Sequence, residues 1–401
     1  MPDASRKRYL HDTHRLCDPA QTMQTVRPYL SEMGITRIAN LTGLDRIGLP
    51  TVMVTRPNSR SVAVAMGKGL TLAAAEVSGV MEAIETWHAE RISLPVRRDC
   101  YADLRSDVPV ADVWRLPRVA GCNFDPYRRI LWVEGTDLGS GTPCWAPFEM
   151  VDTDYTEPPY GGHGTFPRTT NGLASGNDRS EATCHAICEL IERDATTLWH
   201  HDRKSERIDP ATIDDVRCRD ALEQVLTAGL DVGIWDTTSD IGVACFHCVI
   251  CEAGETPGHI GVGDGCHPDR TIALLRALTE AAQTRLTYIS GGRDDLEPAE
   301  FTPEAVAAKG RFIRALINDA EPCGKFPDCP SRSTESFEDD LAWLLDRLAR
   351  AGMDQVLTID LSRAGFGISV VRAIIPGLEA PHDDPDFLAG PRARGLKADI
   401  P

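Results

Sequence analysis

Acidic side chains recur along the stretch SEATCHAICELIERDATTLWH, residues 180–200, which otherwise has the pattern of a helix. At about 100° per residue, one face of that helix is polar and continues from Asn177 through Glu181, His185, Glu189 and Glu192. The opposite face is apolar and carries Ala186, Ile187, Leu190 and Ile191. A single face of this kind is usually the solvated side of a surface helix, so its meaning depends on whether the pattern recurs.

Two further predicted helices carry polar residues at positions i, i+4 and i+7, which share one side of a helix. In AAAEVSGVMEAIETWHAERI, residues 73–92, they are Ser78, Glu82 and Glu85. In DRTIALLRALTEAAQTRL, residues 269–286, they are Arg276, Glu280 and Gln283. Three such faces in one chain are hard to attribute to solvent exposure alone.

Carboxylates gathered in this way repel one another unless cations compensate them. Hard oxygen ligands suit Mg²⁺, which usually enters protein sites together with phosphates. Lys68 stands between two glycines just ahead of the first of these helices, where it could contact a phosphate. The chain has no G-x-x-x-x-G-K-[ST] loop. The spacing therefore predicts either a Mg²⁺–nucleotide site without that loop or a dimetal carboxylate site.

Strands and helices alternate along the whole chain, which predicts a mixed α/β or α+β fold. Strands are expected at residues 51–57, 61–67, 129–138, 231–236, 242–252, 355–362 and 367–377. Helices are expected at residues 72–92, 180–200, 269–288 and 336–353. Residues 158–177, rich in glycine and proline, are predicted to form a long loop. Aligning Glu82-x-x-Glu85 with Glu189-x-x-Glu192 suggests an internal duplication.

The composition is that of a soluble globular protein, with 401 residues, 42% of them hydrophobic and 25% charged. The net charge of −18 argues against a nucleic-acid partner, whose binding surface should be basic. The start of the chain has no secretory signal, and the apolar stretch at residues 241–251 is too short to cross a bilayer. We therefore expect a cytoplasmic protein with no membrane partner and mostly free thiols among its thirteen cysteines.

Two weaker patterns and one single histidine leave alternatives open. Cys245, Cys248 and Cys251 have a spacing seen in metal sites, but their apolar neighbours favour a buried strand. Glu85 and His88 form an E-x-x-H sequence typical of di-iron helices, although no convincing second copy occurs. His163, in a glycine-rich segment, is either an acid–base group on the substrate side or a plain loop histidine.

At these same residues the chain resembles the YcaO family, with the resemblance running from about residue 35 to 380. The family motif S-x-x-x-E-x-x-E-R stands here as Ser78, Glu82 and Glu85. A longer motif stands as Ser175, Asn177, Glu181, Glu189, Glu192 and Arg193, and the motif R-x-x-x-E stands as Arg276 and Glu280. Residues 35–57 and the GKG segment are most similar to the subgroup encoded beside TfuA proteins.

The chain departs from the family pattern in three places. Thr86 stands where the first motif usually has an arginine, and His185 stands where the second often has a glutamine. Both changes keep the carboxylates, so nucleotide binding is expected to survive. Azoline-forming members often end in a Pro-x-Pro-x-Pro tail, whereas this sequence ends with KADIP and only Pro401. That difference weakens the azoline interpretation.

The resemblance implies a YcaO-type fold in which two pseudo-repeated sheet-and-helix subdomains surround a site for ATP and Mg²⁺. It implies four Mg²⁺ ligands, which are Glu82, Glu85, Glu189 and Glu192. The nucleotide contacts or their supports would be Lys68, Ser78, Ser175, Asn177, Glu181, His185, Arg193 and Arg276. The catalytic set would be Arg193, Arg276 and Glu280. The expected domain limits are an N-terminal extension at 1–34, the catalytic domain at 35–385 and a tail at 386–401.

The implied activity is ATP-dependent phosphorylation of the oxygen of a peptide-backbone amide. Sulfur insertion would then give a thioamide in a ribosomally made peptide or protein. The alternatives are an azoline-forming cyclodehydratase that acts on Cys, Ser or Thr, and a non-catalytic ATP-binding scaffold. Nothing in the chain resembles a separate leader-binding domain, so we expect a partner, a TfuA-like protein first. The resemblance also allows a homodimer.

Overall fold

The structure is a computed structural model that describes residues 6–156, 164–203, 205–254, 258–319, 321–382 and 387–396. Its α-helices are α1 (Pro19–Val26), α2 (Leu72–Ala89), α3 (Tyr101–Asp107), α4 (Arg179–Asp202), α5 (Val216–Thr227), α6 (Arg270–Ser290), α7 (Pro303–Asn318), α8 (Phe337–Arg350) and α9 (Pro391–Gly395). The predicted helices are confirmed, and α1, α3, α5, α7 and α9 are additional to them. None of the helices in the described ranges is long and apolar enough to cross a membrane.

The strands form four antiparallel sheets within the described ranges. In chain order they are β1 (Tyr9–Leu10), β2 (His14–Arg15), β3 (Arg37–Asn40), β4 (Thr51–Thr55), β5 (Val64–Lys68), β6 (Val96–Cys100), β7 (Arg129–Asp137), β8 (Pro143–Pro147), β9 (Leu173–Gly176), β10 (Leu230–Asp236), β11 (Cys245–Glu252), β12 (Gly261–Cys266), β13 (Leu357–Asp360) and β14 (Ser369–Ile374). Seven of these strands lie outside the strand ranges predicted from the sequence, namely β1, β2, β3, β6, β8, β9 and β12. β9 emerges from the predicted loop at 158–177, and β12 is rich in glycine.

A three-stranded sheet in the order β3-β4-β5 supports α2. Thr71 caps the helix with its side chain, which accepts a hydrogen bond from Ala74 N–H. The helix lies so close to β5 that a Cβ added at Gly67 would come within 2.0 Å of Ala75 C=O and 2.3 Å of Gly79 N. Glycine is therefore required at the point where strand and helix cross.

The order β10-β11-β12 followed by α6 repeats this arrangement. Here a Cβ at Gly263 would lie 2.3 Å from both Ala277 C=O and Ala281 N, and a Cβ at Gly265 would lie 2.1 Å from Ala273 C=O. The mixed α/β fold with two repeated sheet-and-helix units is thereby confirmed. The unit that corresponds to α2 is α6, whereas the alignment of Glu-x-x-Glu sequences paired α2 with α4.

A six-stranded sheet supports the third helix, α4. Its order is β6-β7-β13-β14-β9, with β8 also paired to β7. Helix α4 follows directly after β9, packs on β9 and β14, and is capped by Asp178, which accepts from Glu181 N–H. The apolar face that the sequence predicted for α4 lies in a core cluster that contains Ala186, Ile187, Leu190 and Ile191. The pairing of β9 with β14 explains why a glycine-flanked segment of four residues is a strand and not a loop.

The two weaker sequence patterns resolve as structural features. All three cysteines lie on β11, with Cys248 facing α5 and α6 and with Cys245 and Cys251 on the other side of the sheet. Across the described ranges, none of these three thiols belongs to a cluster of three ligand atoms within 4.8 Å of one another; Asp99, Cys100 and Asp103 form such a cluster elsewhere. His88 is buried with its Nδ1 2.8 Å from Ile84 C=O and packs on Phe366, which accounts for it without a di-iron centre.

We expect Gly67→Ala to destabilise the protein by about 1–3 kcal/mol, because the added methyl group collides with the backbone of α2. Gly43→Ala is the matched control, since a Cβ there meets no atom within 4 Å. Urea unfolding of both variants would measure the difference. Equal free energies of unfolding for the two would contradict the close approach of α2 to β5.

Candidate functional site

The three polar helix faces converge on one cavity of about 1020 Å³. Helices α2, α4 and α6 form its walls together with β5, β9 and the segment around β1 and β2. Every residue that the sequence placed in the site lines it, namely Lys68, Ser78, Glu82, Glu85, Ser175, Asn177, Glu181, His185, Glu189, Glu192, Arg193, Arg276 and Glu280. The fold thus brings together residues from the whole span 68–280.

Helix α2 presents Ser78, Glu82 and Glu85 on successive turns. Glu82 lies deep within the protein, where its side chain faces the open space of the cavity, and it accepts a hydrogen bond of 3.4 Å from Met66 N–H. Glu85 accepts two bonds from Ser175, from its N–H at 2.8 Å and from its hydroxyl at 2.6 Å. The surrounding protein disfavours both charges, so burial raises the pKa of Glu82 to about 6 and that of Glu85 to about 8.

Helix α4 presents Glu189, Glu192 and Arg193 across the cavity. Burial raises the pKa of Glu189 to about 7 and also raises the pKa of Glu192. Glu192 accepts a 2.8 Å bond from Cys266 N–H, which fixes the carboxylate at the end of β12. Burial alone would lower the pKa of Arg193, but Glu189 and Glu192 raise it overall, so the guanidinium stays charged.

Cations from β5 and α6 face these acids. Lys68 forms an ion pair with Glu280, and Arg276 lies 3.7 Å from Glu192. The guanidinium of Arg276 is also 3.2 Å from His185 Nε2. Burial, and then Arg276, hold the pKa of His185 well below its usual range, so His185 is neutral and accepts this bond.

Glu181 and Asn177 are engaged by the protein itself. Both oxygens of Glu181 accept from the Asn177 amide at 3.1 Å, and one also accepts from Leu16 N–H at 3.0 Å. Arg15 lies 3.5 Å from the other oxygen, and Thr22 donates to Asn177 at 2.8 Å. This network attaches the N-terminal segment to the end of β9, so that residues 9–22 form part of the site. The domain limits at 34 and 385 remain predictions.

Two groups in the cavity, Asp264 and Arg293, were not predicted from the sequence. Asp264 on β12 lies 2.9 Å from both His247 Nδ1 and Thr196 Oγ1. Burial would raise the pKa of Asp264, but His247 and then Arg193 lower it to about 2. An acid inside the glycine-rich strand GVGDGC was the available signal. Arg293 and Gln283 also line the cavity, and Gln283 already stood at i+7 on α6. His163 lies outside the described residues.

The charge pattern suits a divalent cation with phosphates. Glu82, Glu85 and Glu189 have raised pKa values because burial and neighbouring acids disfavour their charged forms, and a bound cation would favour those forms. Their oxygens are of the type that Mg²⁺ prefers. Lys68, Arg193, Arg276 and Arg293 line the same cavity and can neutralise a polyphosphate. The residues present therefore fit Mg²⁺ and a nucleoside triphosphate.

Comparison with known proteins agrees with this chemistry. The family model described as YcaO cyclodehydratase, ATP- and Mg²⁺-binding, matches residues 66–379. A protein in the tfuA 3′ region of Rhizobium leguminosarum bv. trifolii is 37% identical over 92% of this chain and 89% of its own length. A Methanothermobacter thermautotrophicus protein is 35% identical over 92% of this chain and 96% of its own length. The first of these is consistent with the predicted TfuA-associated subgroup.

Two solved structures share the fold. The YcaO protein of Methanopyrus kandleri bound with AMPPCP and Mg²⁺ gives a TM-score of 0.72 at 24% identity, covering 94% of this chain and 95% of that one. A heterocyclase in complex with substrate and cofactor gives a TM-score of 0.76 at 21% identity, and the chain spans 55% of its length. Together with the family model and the relatives, these findings confirm the predicted resemblance: the chain belongs to the YcaO family, which binds ATP and Mg²⁺.

Proposed function

We propose that the protein phosphorylates the oxygen of a peptide-backbone amide with ATP and then replaces that oxygen by sulfur. The amide oxygen attacks the γ-phosphorus, and ADP leaves. Hydrosulfide then attacks the activated carbon, phosphate leaves with the original oxygen, and loss of a proton gives the thioamide. The observation that carries the proposal is the convergence of six carboxylates and three cations from β5, α2, α4 and α6 on one cavity.

The four glutamates Glu82, Glu85, Glu189 and Glu192 would hold Mg²⁺ between α2 and α4. Mg²⁺ neutralises phosphate charge and orients the transferred group when bound. Arg193 and Arg276 then face the charge that develops on phosphate, and Glu280 keeps Lys68 directed into the cavity. The nucleotide would be contacted, directly or through the residues that position its contacts, by Ser78, Ser175, Asn177 and His185. Glu181 accepts a hydrogen bond from Asn177 and so positions it.

One observation favours a thioamide product over an azoline. A relative at 37% identity lies in a tfuA 3′ region. The same activated amide would give an azoline if a Cys, Ser or Thr side chain attacked in place of hydrosulfide. The azoline-forming cyclodehydratase is therefore the second candidate. A non-catalytic scaffold is disfavoured because all the motif carboxylates are present.

The setting of the reaction is part of the proposal. We place it in the cytoplasm, since all thirteen cysteines are free thiols. The substrate is a peptide or protein, and a TfuA-like protein is the first partner to test. A homodimer is a further proposal from the family resemblance.

Glu82→Gln should weaken Mg²⁺-dependent nucleotide binding at least about tenfold, because it removes one charged ligand while keeping the side-chain shape. The matched control is Glu76→Gln, which makes the same change on the same helix outside the cavity. Isothermal titration with Mg²⁺ and a non-hydrolysable ATP analogue measures both. Equal affinities for the two variants would remove Glu82 from the metal site.

The metal-free protein should lose stability as pH rises from about 5 to 8. The folded-state pKa of Glu85, about 8, lies above its ordinary value of 4.5, so the folded protein keeps a proton that the unfolded chain releases in this window. Thermal unfolding in EDTA should show this loss for the wild type and a smaller one for Glu85→Gln. Mg²⁺ with nucleotide should reduce the loss of stability of the wild type. Parallel curves for the two proteins would contradict the raised pKa.

Mass spectrometry of the peptide encoded beside the gene tests the reaction itself. The peptide is co-expressed with the wild type or with the double variant Glu82→Ala/Glu189→Ala. We expect a gain equal to sulfur minus oxygen on one residue with the wild type and no gain with the variant. Loss of one water at Cys, Ser or Thr would select the azoline alternative. No mass change with any partner present would contradict the enzyme and favour the scaffold.

A further inference from the structure

Strand β5 is an outer strand whose free edge faces the cavity. It pairs only with β4 in its sheet, and Val64, Ala65, Met66 and Lys68 all line the cavity. Arg56 N–H donates to Ala63 C=O at 2.8 Å, and the register pairs Thr55 with Val64. In an antiparallel pair the bonded residues alternate, so the N–H and C=O of Val64 and Met66 point away from β4.

Most of this edge is open to the cavity. Within Val64–Lys68, the only bond to the outer backbone groups from the described parts of the chain is the one that Glu82 accepts from Met66 N–H. The corresponding edge of β12 also has one such bond, which Glu192 accepts from Cys266 N–H. The acceptor on β12 comes from α4, whereas the acceptor on β5 comes from α2, the helix that packs on the same strand.

The open stretch has defined ends. Asp294 accepts from Ala63 N–H at 3.2 Å, and the ion pair between Lys68 and Glu280 closes the other end. Between them, Gln283 and Tyr288 of α6 line the cavity together with β5. The stretch between these ends is long enough for a short pairing centred on Val64, in which one residue of an added strand exchanges two hydrogen bonds with it. The next carbonyl group that points away from β4 is that of Met66, which lies further along the edge toward Glu82.

We propose that the substrate peptide binds in an extended conformation as an added strand on the free edge of β5, paired with Val64. The inference rests on the proposed function, since an enzyme that activates a backbone amide must present that amide to the acids. In a paired strand, successive residues are spaced about 3.3 Å apart along the edge. The carbonyl groups of the peptide would therefore follow β5 toward Glu82. Such main-chain pairing binds many sequences and leaves selectivity to side-chain pockets and partners.

The test uses a display library of random dodecapeptides selected on the wild-type protein loaded with Mg²⁺ and a non-hydrolysable ATP analogue. A selected peptide is then resynthesised with one N-methyl group at each position in turn. We expect a loss of about fivefold to tenfold at the residue opposite Val64, where methylation removes a donor, and smaller losses at its two neighbours. A uniform response along the peptide, or failure to select any peptide, would overturn the proposal.

Variants of the protein provide the second arm. Val64→Pro removes the N–H that faces the cavity and leaves the bonds to β4 intact, so it should weaken the same peptide about fivefold to tenfold. Ile38→Pro is the matched control, because it changes the free outer edge of β3 in the same sheet. Unchanged nucleotide affinity confirms that Val64→Pro is folded, and equal peptide affinity to wild type would overturn the proposal. Since the assay needs no phosphate transfer, its failure is distinguishable from failure of the proposed reaction.

Discussion

Six carboxylates from three helices face one cavity, and the fold must hold them there against their mutual repulsion. Glu82 and Glu85 come from α2, Glu181, Glu189 and Glu192 from α4, and Glu280 from α6. The rest of the architecture follows from this constraint. Each helix packs on its own sheet through an apolar face, and the glycines at 67, 263 and 265 let two of the helices lie almost against their strands. The polar faces therefore point inward at one another and not at bulk solvent.

The protein compensates this charge only in part. Lys68 pairs with Glu280, Arg276 lies near Glu192, and backbone or hydroxyl donors satisfy Glu82, Glu85 and Glu192. The raised pKa values of Glu82, Glu85 and Glu189 show that burial still outweighs these contacts. A folded protein with such a site gains stability when a cation binds, because the cation neutralises the carboxylate charge that the protein's own contacts leave uncompensated. Binding and stability are thereby coupled through the same few side chains.

The sequence predicts the helices of the site well because their polar residues recur at the spacing of one helix face. Ser78, Glu82 and Glu85 recur at the spacing of one helix face, and that spacing is local information. The short strand β9 was missed because pairing with β14, far along the chain, makes it a strand. Strand β12 pairs with the neighbouring β11, and it was missed because its glycine-rich sequence lacks the residues typical of strands. Asp264 and Arg293 were missed because only the tertiary fold brings them beside Arg193 and Glu82. The contact of Lys68 with Glu280, 212 residues away, likewise has no local signature.

The most direct test of the account is the position of the metal in crystals soaked with Mn²⁺ and a non-hydrolysable ATP analogue, located by anomalous scattering. The account expects Mn²⁺ between α2 and α4, bound to carboxylate oxygens of Glu82, Glu85, Glu189 and Glu192 and to phosphate. Mn²⁺ at Asp99 and Asp103 instead, the other acidic group placed to hold a metal in the described ranges, would contradict it. So would nucleotide bound in the cavity without a metal on any of the four glutamates.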